Sequence, residues 1–192
     1  MTQSEQGDGS PDLVTSTTSN YAAIYNDKGS GATMDVGIWR PQPSDPAYFI
    51  LGDYAQANHN QPTGVALVVK AVNDDPKRPL IKPPVGYTQV WNDHGTGTKQ
   101  DCSIWYPEPP EGYVSIGSVA NSEYGEPKLA NYACLRHDLV MLTDLGGLIW
   151  NDKKSGAKMD VSLYEIVGLN NAFVARAGYD RTGNAYKLKP KR

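Results

Sequence analysis

Three times in this chain two carboxylates stand eight residues apart with a polar, glycine-bearing loop between them. Asp27 and Asp35 flank "KGSGATM", Asp93 and Asp101 flank "HGTGTKQ", and Asp152 and Asp160 flank "KKSGAKM". Four residues past the second Asp comes an aromatic: Trp39, Trp105 and Tyr164. A carboxylate accepts hydroxyl hydrogen bonds and an aromatic face packs on the C–H surface of a sugar, so the combination suits a glycan or a polar lipid head group. Ser30, Thr96 and Ser155 add loop hydroxyls, while Gly31, Gly97 and Gly156 tolerate positive φ and let backbone N–H groups converge. Calcium is the one ion that Asp carboxylates and loop carbonyls of this kind would suit, and no other cofactor is implied. The same residue types also build turns for their own sake, because Asp and Asn accept bonds from their own loop's N–H groups. Binding surface and structural turn are both open readings of the motif.

Catalysis finds little support. His59, His94 and His137 fall in three different contexts, and no Ser or Cys has a base beside it, so the chain reads as a non-enzyme.

The elements that carry these loops recur with them. Each copy opens on an apolar pair (Leu13-Val14, Leu80-Ile81, Leu139-Val140) and reaches an aromatic just before the loop (Tyr25, Trp91, Trp150). After it, "PQPSDPAYFILG" and "PEPPEGYVSIG" set Tyr48 and Tyr113 four residues before Gly52 and Gly117; the third copy, "NNAFVARAG", puts Ala177 where the Gly would be. Repeats at about 12–78, 79–137 and 138–192 follow, preceded by a tail, 1–11, expected to be disordered. Each repeat holds about four short strands between Gly, Pro, Asn and Asp turns, too few to bury a face alone. Three copies sharing one core predict an all-β chain: a β-prism of three four-stranded antiparallel sheets with pseudo-threefold symmetry. Alternation along "DVGIW" sends Val36 and Ile38 inward and Asp35 and Trp39 to the outer side, and places Cys102 inward. Cys102 and Cys134 accordingly read as buried thiols, with one disulfide as the alternative.

The strings "YNDKGSGATMDVGIWRP", "WNDHGTGTKQDCSIWYPEPPEGYVSIGSVA" and "WNDKKSGAKMDVSLY" resemble the family related to vacuolar protein sorting-associated protein 62. In repeat plan the chain is also similar to the β-prism modules at the ends of some bacterial perforin-like toxins. That resemblance implies a role in engaging target surfaces. The third copy departs from the family pattern at Lys154, Tyr164 and Ile166.

Bulk properties narrow the partners. A formal net charge of -3 gives no basic field for nucleic acid. The first twenty residues show no basic and apolar signal pattern, and no run is long enough to span a membrane. A soluble protein without a transmembrane segment is expected, cytoplasmic or released by a non-classical route. The terminal "KLKPKR" reads as a solvated end or as a contact with anionic lipid. The resulting expectation is a surface-recognition module for a glycan or lipid head group, acting as a toxin or in targeting one; the alternative is an interaction scaffold without a small ligand.

Overall fold

The structure is a computed structural model that describes residues 8–191. Residues 1–7 of the expected tail lie outside the described residues, and Asp8–Ser10 form a small turn in which the Ser10 N–H donates to Asp8 Oδ1 (2.9 Å). Among the described residues everything regular is strand except one 3-10 turn at His137–Leu139.

Each repeat builds two small antiparallel sheets. In the first, β1 (Asp12–Thr18), β6 (Ala66–Val72) and β4 (Phe49–Ile50) pair in that order, and β2 (Tyr21–Asn26), β3 (Gly37–Pro41) and β5 (Tyr54–Gln56) form the other sheet. The second repeats the plan with β7 (Ile81–Lys82), β12 (Cys134–Arg136) and β10 (Tyr113–Val114), then β8 (Gly86–Asn92), β9 (Ser103–Glu108) and β11 (Val119–Asn121). The third has β13 (Val140–Thr143) with β17 (Ala185–Leu188), and β14 (Leu145–Asn151), β15 (Val161–Ile166) and β16 (Leu169–Ala177). The all-β, three-repeat, prism-like plan holds, but the sheets are three-stranded with one two-stranded ladder, not four-stranded. The reason is a break in the chain at Leu51–Asp53 and again at Ser115–Ser118, which splits what would be one long strand between two sheets.

Register also corrects the alignment of the third copy. Trp39 faces Tyr54, Trp105 faces Val119 and Tyr164 faces Val174. Two residues before those partners stand Gly52, Gly117 and Ala172, so Ala172, not Ala177, occupies the glycine position. Gly52 (φ 148°) and Gly117 touch: a Cβ on Gly52 would lie 2.7 Å from the Gly117 Cα. The two backbones interlock there, with Gly117 N–H donating to the Leu51 carbonyl (2.8 Å) and Ser118 N–H to that of Phe173 (2.8 Å). Only glycine permits that approach. With Ala172 instead, β16 runs unbroken.

The three central hairpins share one irregularity. Pairing slips between Ala23 and Tyr25, between Gln89 and Trp91, and between Leu148 and Trp150. A bulge at the same place in each hairpin re-aims the following side chain, and Tyr25, Trp91 and Trp150 are all buried. Trp91 stacks edge-on against Trp150 (ring centroids 5.6 Å) and meets Tyr25 at 6.3 Å. Around this trio pack Val36, Ile38, Cys102, Ile104, Val161 and Leu163, the inward positions that alternation predicts. A second apolar cluster, with Leu13, Val69, Leu80, Leu135 and Val140, fills the other region of the core. Both cysteines are free and buried, as the alternation argument expects.

Candidate functional site

The three loops gather at one end of the molecule and fold alike. Ser30, Thr96 and Ser155 each donate their backbone N–H to the carbonyl of Asp27, Asp93 or Asp152 at 2.9–3.0 Å. Their side-chain oxygens accept the N–H two residues on, from Ala32, Thr98 and Ala157. Gly31, Gly97 and Gly156 adopt the positive φ that the turn needs (74°, 74° and 85°), and Lys154 takes up 65° where the other copies have Gly29 and Gly95.

The loops are also locked to one another. Thr33 N–H donates to the Lys153 carbonyl (3.1 Å) and Lys158 N–H to that of His94 (3.1 Å). The Trp150 indole donates to the Met34 carbonyl, and the Trp91 indole to that of Met159 (both 3.1 Å). Each tryptophan thus stitches its own hairpin to the next repeat's loop.

The first Asp of each pair is buried and hydrogen-bonded within the hub. Asp27 Oδ1 accepts the Val36 N–H (2.9 Å) and contacts His59 Nε2 (2.7 Å). Asp93 accepts Thr98 Oγ1 (2.7 Å) and the Tyr124 hydroxyl (2.8 Å). Asp152 accepts the Val161 N–H (3.0 Å), the Trp91 indole (2.8 Å) and the Tyr179 hydroxyl (3.0 Å). The second Asp of each pair, Asp35, Asp101 and Asp160, is exposed. Tyr124 and Tyr179 bridge the two rows, donating also to Asp101 (3.1 Å) and Asp160 (3.0 Å). Burial first, and these carboxylates second, push both phenols above their ordinary range.

The aromatics after the loops do not stand beside them as a free platform. Trp105 (7% exposed) and Tyr164 (4%) are buried, the former donating its indole to Ser103 Oγ (2.7 Å), and Trp39 is half-buried with its Nε1 enclosed. The structure therefore brings together Asp27, Ser30, Gly31, Asp93, Thr96, Gly97, Asp152, Ser155 and Gly156 as one hub. It leaves Asp35, Asp101 and Asp160 on its surface, and sends Trp39, Trp105 and Tyr164 to the walls.

Sequence reasoning missed the bridging residues. Ala55, Ala120 and Ala175 hold equivalent places, one residue past the partners of the aromatic row, and four residues further come His59, Tyr124 and Tyr179. His59 therefore has a defined place in the repeat plan, legible by aligning "AQANHN" with "ANSEYG" and "ARAGYD".

The boundaries between repeats hold a further site. A cleft of about 310 Å³ between the first and third repeats is lined by Tyr54, Gln56, Glu165, Asn170 and Asn171 among others. Gly147 lies beside Glu165: a Cβ there would stand 3.4 Å from the carboxylate. Burial, then the neighbouring Tyr21 and Glu165, raises the Tyr54 hydroxyl above its ordinary range. The corresponding cleft between the third and second repeats, about 320 Å³, is lined by Tyr106, Ser115, Ser118, Arg176 and Tyr186. The third boundary is plugged. Arg40, at the position of Tyr106 and Glu165, forks onto Asp53 (Nε 3.0 Å, Nη2 2.9 Å) and donates to the Ala120 carbonyl.

Three pseudo-equivalent repeats, six small sheets among the described residues and a common loop hub define a β-prism-like fold. The chain belongs to the Vacuolar protein sorting-associated protein 62 family, whose model matches residues 11–178. Among solved structures it is similar to GNIP1Aa from Chromobacterium piscinae, with 30% identity and a TM-score of 0.74 over 90% of this chain. It spans 34% of that protein's length. No curated protein matches the sequence significantly. Among the described residues no helix is long and apolar enough to cross a membrane.

Proposed function

We propose that the chain is a non-enzymatic recognition module of a toxin-like system, and that it takes a neutral glycan in the cleft between its first and third repeats. The toxin association rests on the similarity in repeat plan to the β-prism modules of bacterial perforin-like toxins, and membership of the family and likeness to the bacterial protein GNIP1Aa are in keeping with it. The observation that carries the glycan reading is Glu165: it is exposed, lines the cleft, and makes no hydrogen bond to any described residue. A carboxylate left free beside the phenol of Tyr54 and the exposed amide of Asn170 supplies the acceptor, the ring face and the mixed donors that a sugar's hydroxyls and C–H faces need. The carboxylate also repels phosphate, which favours a neutral sugar over an anionic lipid head group.

A glycan array probed with purified protein, with and without calcium, tests the reading, alongside vesicles of neutral and anionic lipid. Binding to a defined sugar, lost on Glu165→Gln and Asn170→Ala with melting unchanged, is expected. Binding that survives both substitutions, or that appears only on anionic vesicles, refutes it. The scaffold alternative rests on the loop hub, whose first-row carboxylates are consumed internally.

A further inference from the structure

We propose that His59, Asp27 and Asp35 form a site for one divalent transition-metal ion, zinc foremost, present in the first repeat and absent from the other two. The argument starts from the pseudo-symmetry. In the second and third repeats a tyrosine hydroxyl sits between the two carboxylates and bonds to both, at 2.8 and 3.1 Å and at 3.0 and 3.0 Å. In the first repeat the same place is held by an imidazole. His59 Nε2 lies 2.7 Å from Asp27 Oδ1 but 4.0 Å from Asp35 Oδ1, so the bridge is made on one side only.

A histidine is a poor bridge and a good ligand. The imidazole Nε2 reaches one carboxylate and stops short of the other, and in the tautomer with its proton on Nδ1 the Nε2 lone pair binds zinc beside carboxylate oxygens. One ligand atom from each of His59, Asp27 and Asp35 falls within 4.8 Å of the others. At zinc distances of about 2.0–2.1 Å, tetrahedral ligands stand about 3.3 Å apart. The 2.7 Å pair must open by about 0.6 Å and the 4.0 Å pair close by about 0.7 Å, shifts that the half-buried His59 and the exposed Asp35 must supply between them.

The shell around these groups fits the same reading. Asp27 is 3% exposed and held by the Val36 N–H at 2.9 Å, which fixes its carboxylate as a built ligand. The Asp35 side chain is 64% exposed, so the fourth position opens to water. Two carboxylates and one imidazole suit a borderline ion better than calcium, which prefers six to eight oxygens. The site is separate from the inter-repeat cleft and does not depend on a glycan binding there.

Titration of metal-free protein with zinc chloride by calorimetry, paralleled by melting curves, tests the proposal. Wild type should take up one equivalent and melt higher with zinc than without. His59→Tyr copies the residue that the other two repeats use, so it should fold as well as wild type and lose both effects. Tyr124→His, which places an imidazole between Asp93 and Asp101, should gain a second equivalent if it folds. Failure of wild type to bind zinc, uptake that persists in His59→Tyr, or an equal response to calcium would overturn the proposal.

Discussion

Asp152→Ala is the sharpest probe of the loop hub, because three donors converge on one buried carboxylate. Asp152 is 2% exposed and accepts the Val161 N–H at 3.0 Å, the Trp91 indole at 2.8 Å and the Tyr179 hydroxyl at 3.0 Å. Removing it strands those donors unequally. Tyr179 sits at the surface and turns to water, and the Trp91 indole keeps a 3.1 Å bond to the Met159 carbonyl. The buried Val161 N–H loses the side-chain partner that caps the start of β15. A buried unsatisfied group costs about 1–3 kcal/mol, and bonds to a charged acceptor lie at the upper end of that range. One fully stranded donor and one weakened one therefore give about 3–5 kcal/mol. For a domain of this size 1 kcal/mol moves melting by about 2–4 °C, so the midpoint should fall by about 6–20 °C. Equilibrium urea unfolding supplies the free energy and calorimetry the midpoint. Asp160→Ala, on the same loop but exposed, should change stability by less than about 1 kcal/mol. A loss below about 1 kcal/mol for Asp152→Ala, or equal effects from the two substitutions, would refute the assignment of the first Asp row to the architecture.

Gly52→Ala should be among the most damaging single changes, since its Cβ would meet the Gly117 Cα at 2.7 Å on a backbone at φ 148°; soluble yield and melting check this against Gly29→Ala, whose Cβ meets nothing. Alkaline pH should weaken the fold. Burial raises the folded-state values of Tyr25, Tyr124, Tyr132 and Tyr179 above 10.0, and pushes the Cys134 thiol from 9.0 to about 11. The folded chain then holds protons that the unfolded chain releases, so stability is complete below pH of about 9 and is lost as pH rises through the folded-state values. Urea midpoints measured from pH 8 to 11 should fall steadily, and a flat profile contradicts the burial. Cys102 and Cys134 should resist a thiol reagent until the chain unfolds, because burial raises both thiols and removes access.

The repeat plan was legible because it rests on backbone requirements written in small residues. Asn26, Asn92 and Asn151 each accept a backbone N–H two residues on, and the loop glycines take positive φ, so the turn shows in any copy that folds the same way. Inward alternation after the loop was legible for the same reason, since Val36, Cys102 and Val161 are all fully buried. What the sequence hid depends on distance along the chain. Asp27 and His59 are thirty-two residues apart and meet only because β5 returns beside β3. The fate of Trp105 and Tyr164 was hidden as well: period-two alternation distinguishes two faces of a strand but not whether the outer face is later covered. Val119, Tyr132 and Cys134 cover Trp105, and Arg181 lies 5.2 Å over the Tyr164 ring. The covering segments lie elsewhere in the chain, with Ile50 and Val68 of the first repeat also in the cluster around Trp105, and carry no mark of where they dock.

The buried ion pair of the first repeat gives the last test, because the other repeats show what the fold accepts in its place. Arg40 and Asp53 have side-chain exposures of 17% and 0%, and Asp53 also accepts the Ala120 N–H at 2.8 Å. At the same two positions the second repeat has Tyr106 and Ser118, and the third has Glu165 and Phe173. No ion pair is needed to build the boundary. Burial drives the Asp53 carboxyl upward, and the Arg40 fork and the Ala120 N–H oppose that. Arg40→Ala leaves a buried carboxylate without its counter-ion, which costs about 3–5 kcal/mol. Arg40→Tyr with Asp53→Ser copies the second repeat and removes both charges, so it should cost clearly less than Arg40→Ala alone. A double-mutant cycle read by urea unfolding gives the coupling directly. A double substitution as damaging as the sum of its singles would mean that the pair is a structural requirement of this boundary, and that Arg40 is more than the plug of a cleft which the other two boundaries leave open.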